Sequence, residues 1–136
     1  PTAVGKTGLA CGILLKALEN GLSCQFIRAQ DRFDEMYAEL ADRSTRRLVK
    51  RLARLDILLI DELGYVNLKP EQANVFFKLM EERYHQRSTI ITTNLVYEEW
   101  AGFLGNKTMV DALLSRVRHY CHTVRIDGPS LRGPQS

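Results

Sequence analysis

The sequence predicts an α/β domain built on a mostly parallel sheet. Three observations predict it. Four consecutive apolar residues, Ile57-Leu58-Leu59-Ile60, are flanked by acids, as in a strand covered on both faces. Two further apolar or β-branched stretches are separated from that run by segments of helical periodicity. Gly5-Lys6-Thr7 stands directly before such a segment, as the second half of G-x-x-x-x-G-K-[ST], the phosphate-binding P-loop. At 136 residues the chain is at most one domain.

Taken in order, Gly8 to Asn20 reads as a helix, with Leu9, Ile13, Leu14, Ala17 and Leu18 at helical spacing. Asn20-Gly21 stops it, because both residues tolerate a left-handed backbone. Ser23 to Ala29 is a short strand. Asp31 to Leu40 is a helix with Phe33, Met36, Tyr37 and Leu40 inward, and Ser44 to Leu55 is another. The buried strand ends in Asp61-Glu62, and Gly64 to Leu68 is a turn. Pro70 opens a helix, where a missing N–H costs nothing, and the pattern runs to about Arg87. Ser88 to Thr93 is a β-branched strand. A short helix over Val96 to Phe103 and a longer one over Thr108 to Tyr120 precede a last strand, His122 to Ile126. Residues 1–128 form the domain, and the Gly/Pro-rich residues 129–136 a loose tail.

Composition narrows the function classes. The net charge of +3 permits an anionic partner without demanding one. No apolar run approaches the ~18–20 residues of a membrane span. Cys11, Cys24 and Cys121 form no C-x-x-C pair and read as isolated core residues in a reducing cytoplasm. His119-Tyr120-Cys121-His122 is too tightly bunched for zinc.

In α/β sheets ligands sit outside the carboxyl ends of the strands, and the candidate chemistry falls there. Backbone N–H groups from Val4 to Thr7, with the helix N-terminus, form a concave anion site. Gly5 allows close approach to phosphate oxygens, Lys6 reaches the outer phosphates, and Thr7 offers its hydroxyl to Mg²⁺. Asp61 and Glu62 end the buried strand and, alternating in direction, can take different jobs. Asp61 would hold Mg²⁺ with Thr7, and Glu62 would orient and polarise a water for attack on the γ-phosphate. Asn94, after Thr92-Thr93, can hold that water, since an amide both donates and accepts. Arg116 can act in trans as an arginine finger, with Arg118 a competitor, and Arg132 could contact nucleotide from the same subunit.

With these motifs placed, the chain resembles the AAA+ ATPases of the IstB type, helpers of insertion-sequence transposition and relatives of the helicase loader DnaC. The likeness is carried by VGKTGLA, LDILLIDELGYVNL, ERYHQRSTIITTNL, EEW and ALLSRVRHYCHTVRIDGPSLR, nearly the whole chain in order. It implies a P-loop NTPase of AAA+ type with a three-layer parallel sheet, ATP and Mg²⁺ as cofactors, self-assembly on DNA, and cooperation with a transposase. It matches Lys6 and Thr7 to Walker A, Asp61 and Glu62 to Walker B, Asn94 to the sensor, Arg116 to the finger, and Arg132 less securely to a terminal arginine. Ser115 stands where an acid is expected before the finger, and Leu131 where an aromatic is expected. The strand before the P-loop and the loop's first glycine fall upstream of Pro1. The sheet is therefore expected to lack its central strand, and this segment alone to bind nucleotide poorly or not at all.

Arg43, Arg46, Arg47, Lys50, Arg51 and Arg54 recur along one face of a single helix, with Leu48, Leu52 and Leu55 on another. Such a face can follow a phosphate backbone without reading bases, and no interleaved aromatic supports base stacking. The leading expectation is an oligomeric, DNA-associated ATPase that assists a transposase. A loader of the replicative helicase, a small-molecule P-loop kinase and a non-catalytic relic of a broken transposable element are the alternatives.

Overall fold

The computed structural model describes residues 5–29, 31, 43–64, 67–84 and 86–120, with the backbone alone for residues 97 and 117–120. In chain order these form helix α1 (Lys6–Glu19), strand β1 (Cys24–Arg28), helix α2 (Arg43–Arg54), strand β2 (Ile57–Leu63), helix α3 (Pro70–Arg83), strand β3 (Ser88–Thr93), a 3₁₀ turn (Tyr97–Glu99), helix α4 (Trp100–Leu104) and helix α5 (Lys107–Tyr120). The helix expected over Asp31 to Leu40 falls almost wholly outside the described residues. So do the last strand, His122 to Ile126, and the tail.

All three strands are parallel, in the order β1-β2-β3. Successive side chains of β2 face opposite sides, and the two sides bury different layers. Leu59, with Ile57 and Ile90, packs against Ala10 and Leu14 of α1. Leu58 and Ile60 join the larger core with Leu52, Phe76, Leu79, Trp100, Phe103, Val110 and Leu114, contributed by α2 to α5. The result is a three-layer α/β/α arrangement with β2 at its centre. Leu58, Leu59 and Ile60 are each 0% exposed, as a strand covered on both faces requires. Among the described residues, no helix is long and apolar enough to cross a membrane.

The ends of the elements follow from local chemistry. Gly5 precedes α1 with φ 93°, a conformation that favours glycine, and its carbonyl accepts from Leu9 N at 2.9 Å. Asn20 and Gly21 close α1 as expected, donating to Ala17 O and Leu18 O at 3.0 Å each. Pro70 opens α3, and Gln72 reaches back to accept from Lys69 N at 2.9 Å. That helix stops at Arg83, short of the expected Arg87, because Tyr84 turns extended at ψ 131°. Asn106 starts α5, its side chain accepting from Met109 N at 3.0 Å. Asp56 and Ser23 pair before β1 and β2. Hydrogen bonds from the Ser23 backbone and hydroxyl hold the Asp56 carboxyl below the usual carboxylate range. The pair's contribution to stability is thus present above that range and fades as pH falls through the lowered pKa.

The apolar stripe of α1 is only partly covered, and the reading of the cysteines as core residues needs correction for Cys11 and Cys24. Ala10, Leu14 and Ala17 are its buried residues, whereas Leu9, Ile13 and Leu18 are exposed. The apolar stripe is broader than the strip of sheet that α1 covers. Cys11 sits on that uncovered side and is exposed, and Cys24 is half-buried, so neither is a core cysteine.

Candidate functional site

The opening of α1 and the carboxyl ends of β2 and β3 meet at one place. The Lys6 ammonium donates to Thr93 O at 2.9 Å. The Thr7 hydroxyl contacts both oxygens of Asp61, at 2.9 Å to Oδ1 and 3.2 Å to Oδ2. Asp61 is 0% exposed. It lies on the α1 side of β2 because it follows Ile57 and Leu59 in the alternation. A hydroxyl and a buried carboxylate converging beside a lysine form a hard-oxygen donor set beside a cation, which fits Mg²⁺ carrying a polyphosphate.

The next residue departs from strand geometry. Ile60 pairs with Ile91 and Leu63 with Thr93, so Asp61 and Glu62 together face only Thr92. This is a β-bulge. Glu62 carries it with φ 58°, in the left-handed region that costs a non-glycine residue roughly 1–2 kcal/mol. The extra residue reverses the phase of the strand. Leu63 returns to the large core with Leu58 and Ile60 instead of facing α1. The Glu62 carboxylate meets Arg28 of β1 at 3.5 Å, in a partly exposed ion pair. The two acids make different contacts, Asp61 with Thr7 and Thr92 and Glu62 with Arg28, across a bulge that interrupts the simple alternation expected of a strand.

Thr92 Oγ1 donates to Asp61 Oδ1 and accepts from Glu62 N at 2.9 Å. Thr93 Oγ1 donates to Leu63 O at 2.6 Å. Neither hydroxyl was singled out by sequence reasoning, and their only signal was their place directly before Asn94. After β2, Gly64 takes φ +98°, and a Cβ there would lie 2.5 Å from the Leu95 side chain. The glycine of ELGY thereby lets the end of β2 pass close to the segment after β3.

Asn94 follows β3 directly and is exposed at the same end of the sheet. Gly5 sits beside Lys6 at the start of α1. Arg116 is placed elsewhere. Its guanidinium lies 5.1 Å from the centre of the Tyr84 ring, over a shallow cleft formed with Phe77, Met80 and Leu113. Tyr84 belongs to the end of α3 that leads into Ser88, at the amino end of β3, whereas Lys6 binds at Thr93, its carboxyl end. Val4 and Arg132 lie outside the described residues. Arg43, Arg46, Arg47, Lys50, Arg51 and Arg54 are all exposed, while Thr45, Val49 and Leu52 form the buried face of α2. Among the described residues no cluster of His, Cys, Asp and Glu could hold a metal by itself.

The chain is 38% identical over 133 residues to the protein of Bacillus thuringiensis subsp. berliner named as the ATP-binding protein of insertion sequence IS232, covering 97% of this chain and 53% of that one. It is 30% identical over 132 residues to the corresponding insertion sequence IS21 protein of Pseudomonas aeruginosa, covering 97% and 50%. It spans about half the length of the curated relatives it matches. Among solved structures, DnaI superposes with a TM-score of 0.77 at 20% identity, covering 91% of this chain and 68% of that one. The DnaC helicase loader gives 0.72 at 19%, covering 91% and 73%. AMPPCP-bound DnaA from Aquifex aeolicus gives 0.70 at 18%, covering 83% and 35%. The fold is accordingly the P-loop AAA+ sheet with flanking helices. With its P-loop residues, acidic strand end and a family match over residues 1–136, the chain belongs to the family of IstB-like ATP-binding proteins.

Proposed function

We propose that the full-length protein is a DNA-associated ATPase that assembles on DNA and assists a transposase. One observation carries the ATP site: the Thr7 hydroxyl and the Lys6 ammonium converge with Asp61 at the carboxyl ends of adjacent parallel strands. In this reading Gly5 and the first N–H groups of α1 receive phosphate oxygens. Lys6 exchanges Thr93 O for the outer phosphates. Thr7 and Asp61 hold Mg²⁺, which when bound neutralises charge on the β- and γ-phosphate oxygens. Glu62 and Asn94 orient the attacking water.

Arg116 acts from a neighbouring subunit. Its position over Tyr84, at the far end of β3 from Lys6, supports a role in trans. Arg116→Ala in the full-length protein should leave ATP affinity unchanged and remove hydrolysis, lowering it about 10³-fold or more. Loss of ATP binding in that variant would refute the trans role.

The exposed arginines and Lys50 on α2 support phosphate-backbone binding. Arg47→Glu, Lys50→Glu and Arg51→Glu combined should abolish ATP-dependent DNA binding. Binding unchanged across the salt titration would remove α2 from the DNA path. The insertion-sequence relatives favour a transposase as partner. Co-purification with the replicative helicase instead would replace that partner and leave the ATP site as described.

A further inference from the structure

The geometry points to Thr92 as the residue that positions both acids of the site through one hydroxyl. This rests on the ATPase reading above, and nothing in the sequence motifs assigns Thr92 a role. Only 8% of the residue is exposed. Its oxygen makes two hydrogen bonds, and their direction is fixed by chemistry. A backbone N–H can only donate, so Thr92 Oγ1 accepts from Glu62 N at 2.9 Å. An ionised carboxylate can only accept, so the hydroxyl proton goes to Asp61 Oδ1.

The bulge explains why a side chain is needed there. Asp61 and Glu62 face one residue of β3, so the regular ladder is interrupted between Ile60 and Leu63. Thr92 Oγ1 takes the Glu62 N–H at that interruption. It thereby holds the backbone of Glu62 in its left-handed conformation at φ 58°. The same oxygen's proton, together with the Thr7 hydroxyl, sets the plane of the Asp61 carboxylate. When Thr7 turns its lone pairs to a metal ion, Thr92 remains as a protein donor to Asp61. Thr92 touches no substrate in this arrangement and is a positioning residue.

The hydroxyl and the methyl of Thr92 can be separated by substitution. In the full-length protein, Thr92→Val keeps the shape and loses the hydroxyl. It should lower kcat about 10–100-fold and raise the Mg²⁺ concentration for half-maximal rate by a similar factor, as when the group orienting a metal ligand is lost. ATP affinity measured without Mg²⁺ should stay within about twofold, because Gly5 and Lys6 are untouched. Thr92→Ser keeps the hydroxyl and should stay within about threefold of the parent in both kcat and Mg²⁺ dependence. A Val variant with the parent's kcat and Mg²⁺ dependence would overturn the inference. So would a Ser variant with defects like those expected of Val, which decides the matter even if Val fails to fold. Glu62→Gln, run in parallel, separates the two levels. If it hydrolyses ATP normally, the assignment of Glu62 to the attacking water fails, and with it the part of this inference that concerns Glu62. If it is inactive while Thr92→Val is normal, only the role of Thr92 fails.

Discussion

In the full-length protein, Glu62→Gln is expected to bind ATP with unchanged affinity and to hydrolyse it about 10²–10⁴-fold more slowly. The substitution keeps the side chain's length and hydrogen-bonding shape. It removes the negative charge that would polarise a water. Binding is spared because the groups that would hold phosphate, Gly5, Lys6 and Thr7, sit on α1 and make no hydrogen bond to the Glu62 side chain among the described residues. The backbone is spared too. The Glu62 N–H still reaches Thr92 Oγ1, and glutamine meets the left-handed conformation with the same side-chain bulk at Cβ. The one described ion pair lost, to Arg28 at 3.5 Å, is partly exposed and worth less than about 1 kcal/mol. A fluorescent-nucleotide titration beside a phosphate-release assay checks both halves. Hydrolysis at the parent's rate would mean that the water is oriented by another group, with Asn94 next in place. Loss of binding would mean that Glu62 serves the nucleotide and not the water.

The frame of this fold was legible because it depends on short-range regularities. The run ILLI between Asp56 and Asp61 contains no polar residue, so a strand buried on both faces was the economical reading, and the structure leaves Leu58, Leu59 and Ile60 each 0% exposed. Pro70 fixed the start of α3 for a reason internal to proline. The basic face of α2 followed from spacing alone, since six cations at helical intervals cannot enter a core. The bulge was not legible. It depends on β3 offering one residue where β2 offers two, a mismatch between strands thirty residues apart that neither strand announces. Glutamate carries no preference for φ 58° that would have flagged it. How much of the apolar stripe of α1 the sheet covers was not legible, because periodicity finds a stripe but not the extent of its partner. Arg83 was the other omission. ERYHQR reads as the solvated end of a helix, yet its first arginine is 1% exposed.

Replacing that arginine should be the most damaging change to the fold itself. Arg83 holds three parts of the domain together from the end of α3. One guanidinium nitrogen donates to Leu52 O at 2.7 Å and Leu55 O at 2.8 Å, where α2 ends and the chain turns toward β2. A second donates to Ser88 O at 2.6 Å, and Nε donates to Thr89 Oγ1 at 2.8 Å, at the start of β3. The group thus serves carbonyls that the helix terminus leaves without a partner. Burial pushes its pKa down to about 10, the neighbouring Arg87 adding to the effect, so it remains charged at neutral pH. Its folded pKa lies below the ordinary arginine range, so the charged form costs stability at neutral pH. That cost is relieved only as pH rises through about 10 and above. Arg83→Met matches the stem and removes every donor. Leu52, Leu55 and Ser88 then each lose a charged donor, at about 1 kcal/mol or more apiece, for a total of about 3 kcal/mol. A loss of that size should lower the melting temperature by roughly 10 °C. Arg83→Lys should recover only part of it, because three donors on one nitrogen cannot span acceptors on α2 and β3 at once. Thermal melts of the two variants check the expectation. A methionine variant as stable as the parent would show that these carbonyls find other partners and that α2 is not fastened through Arg83.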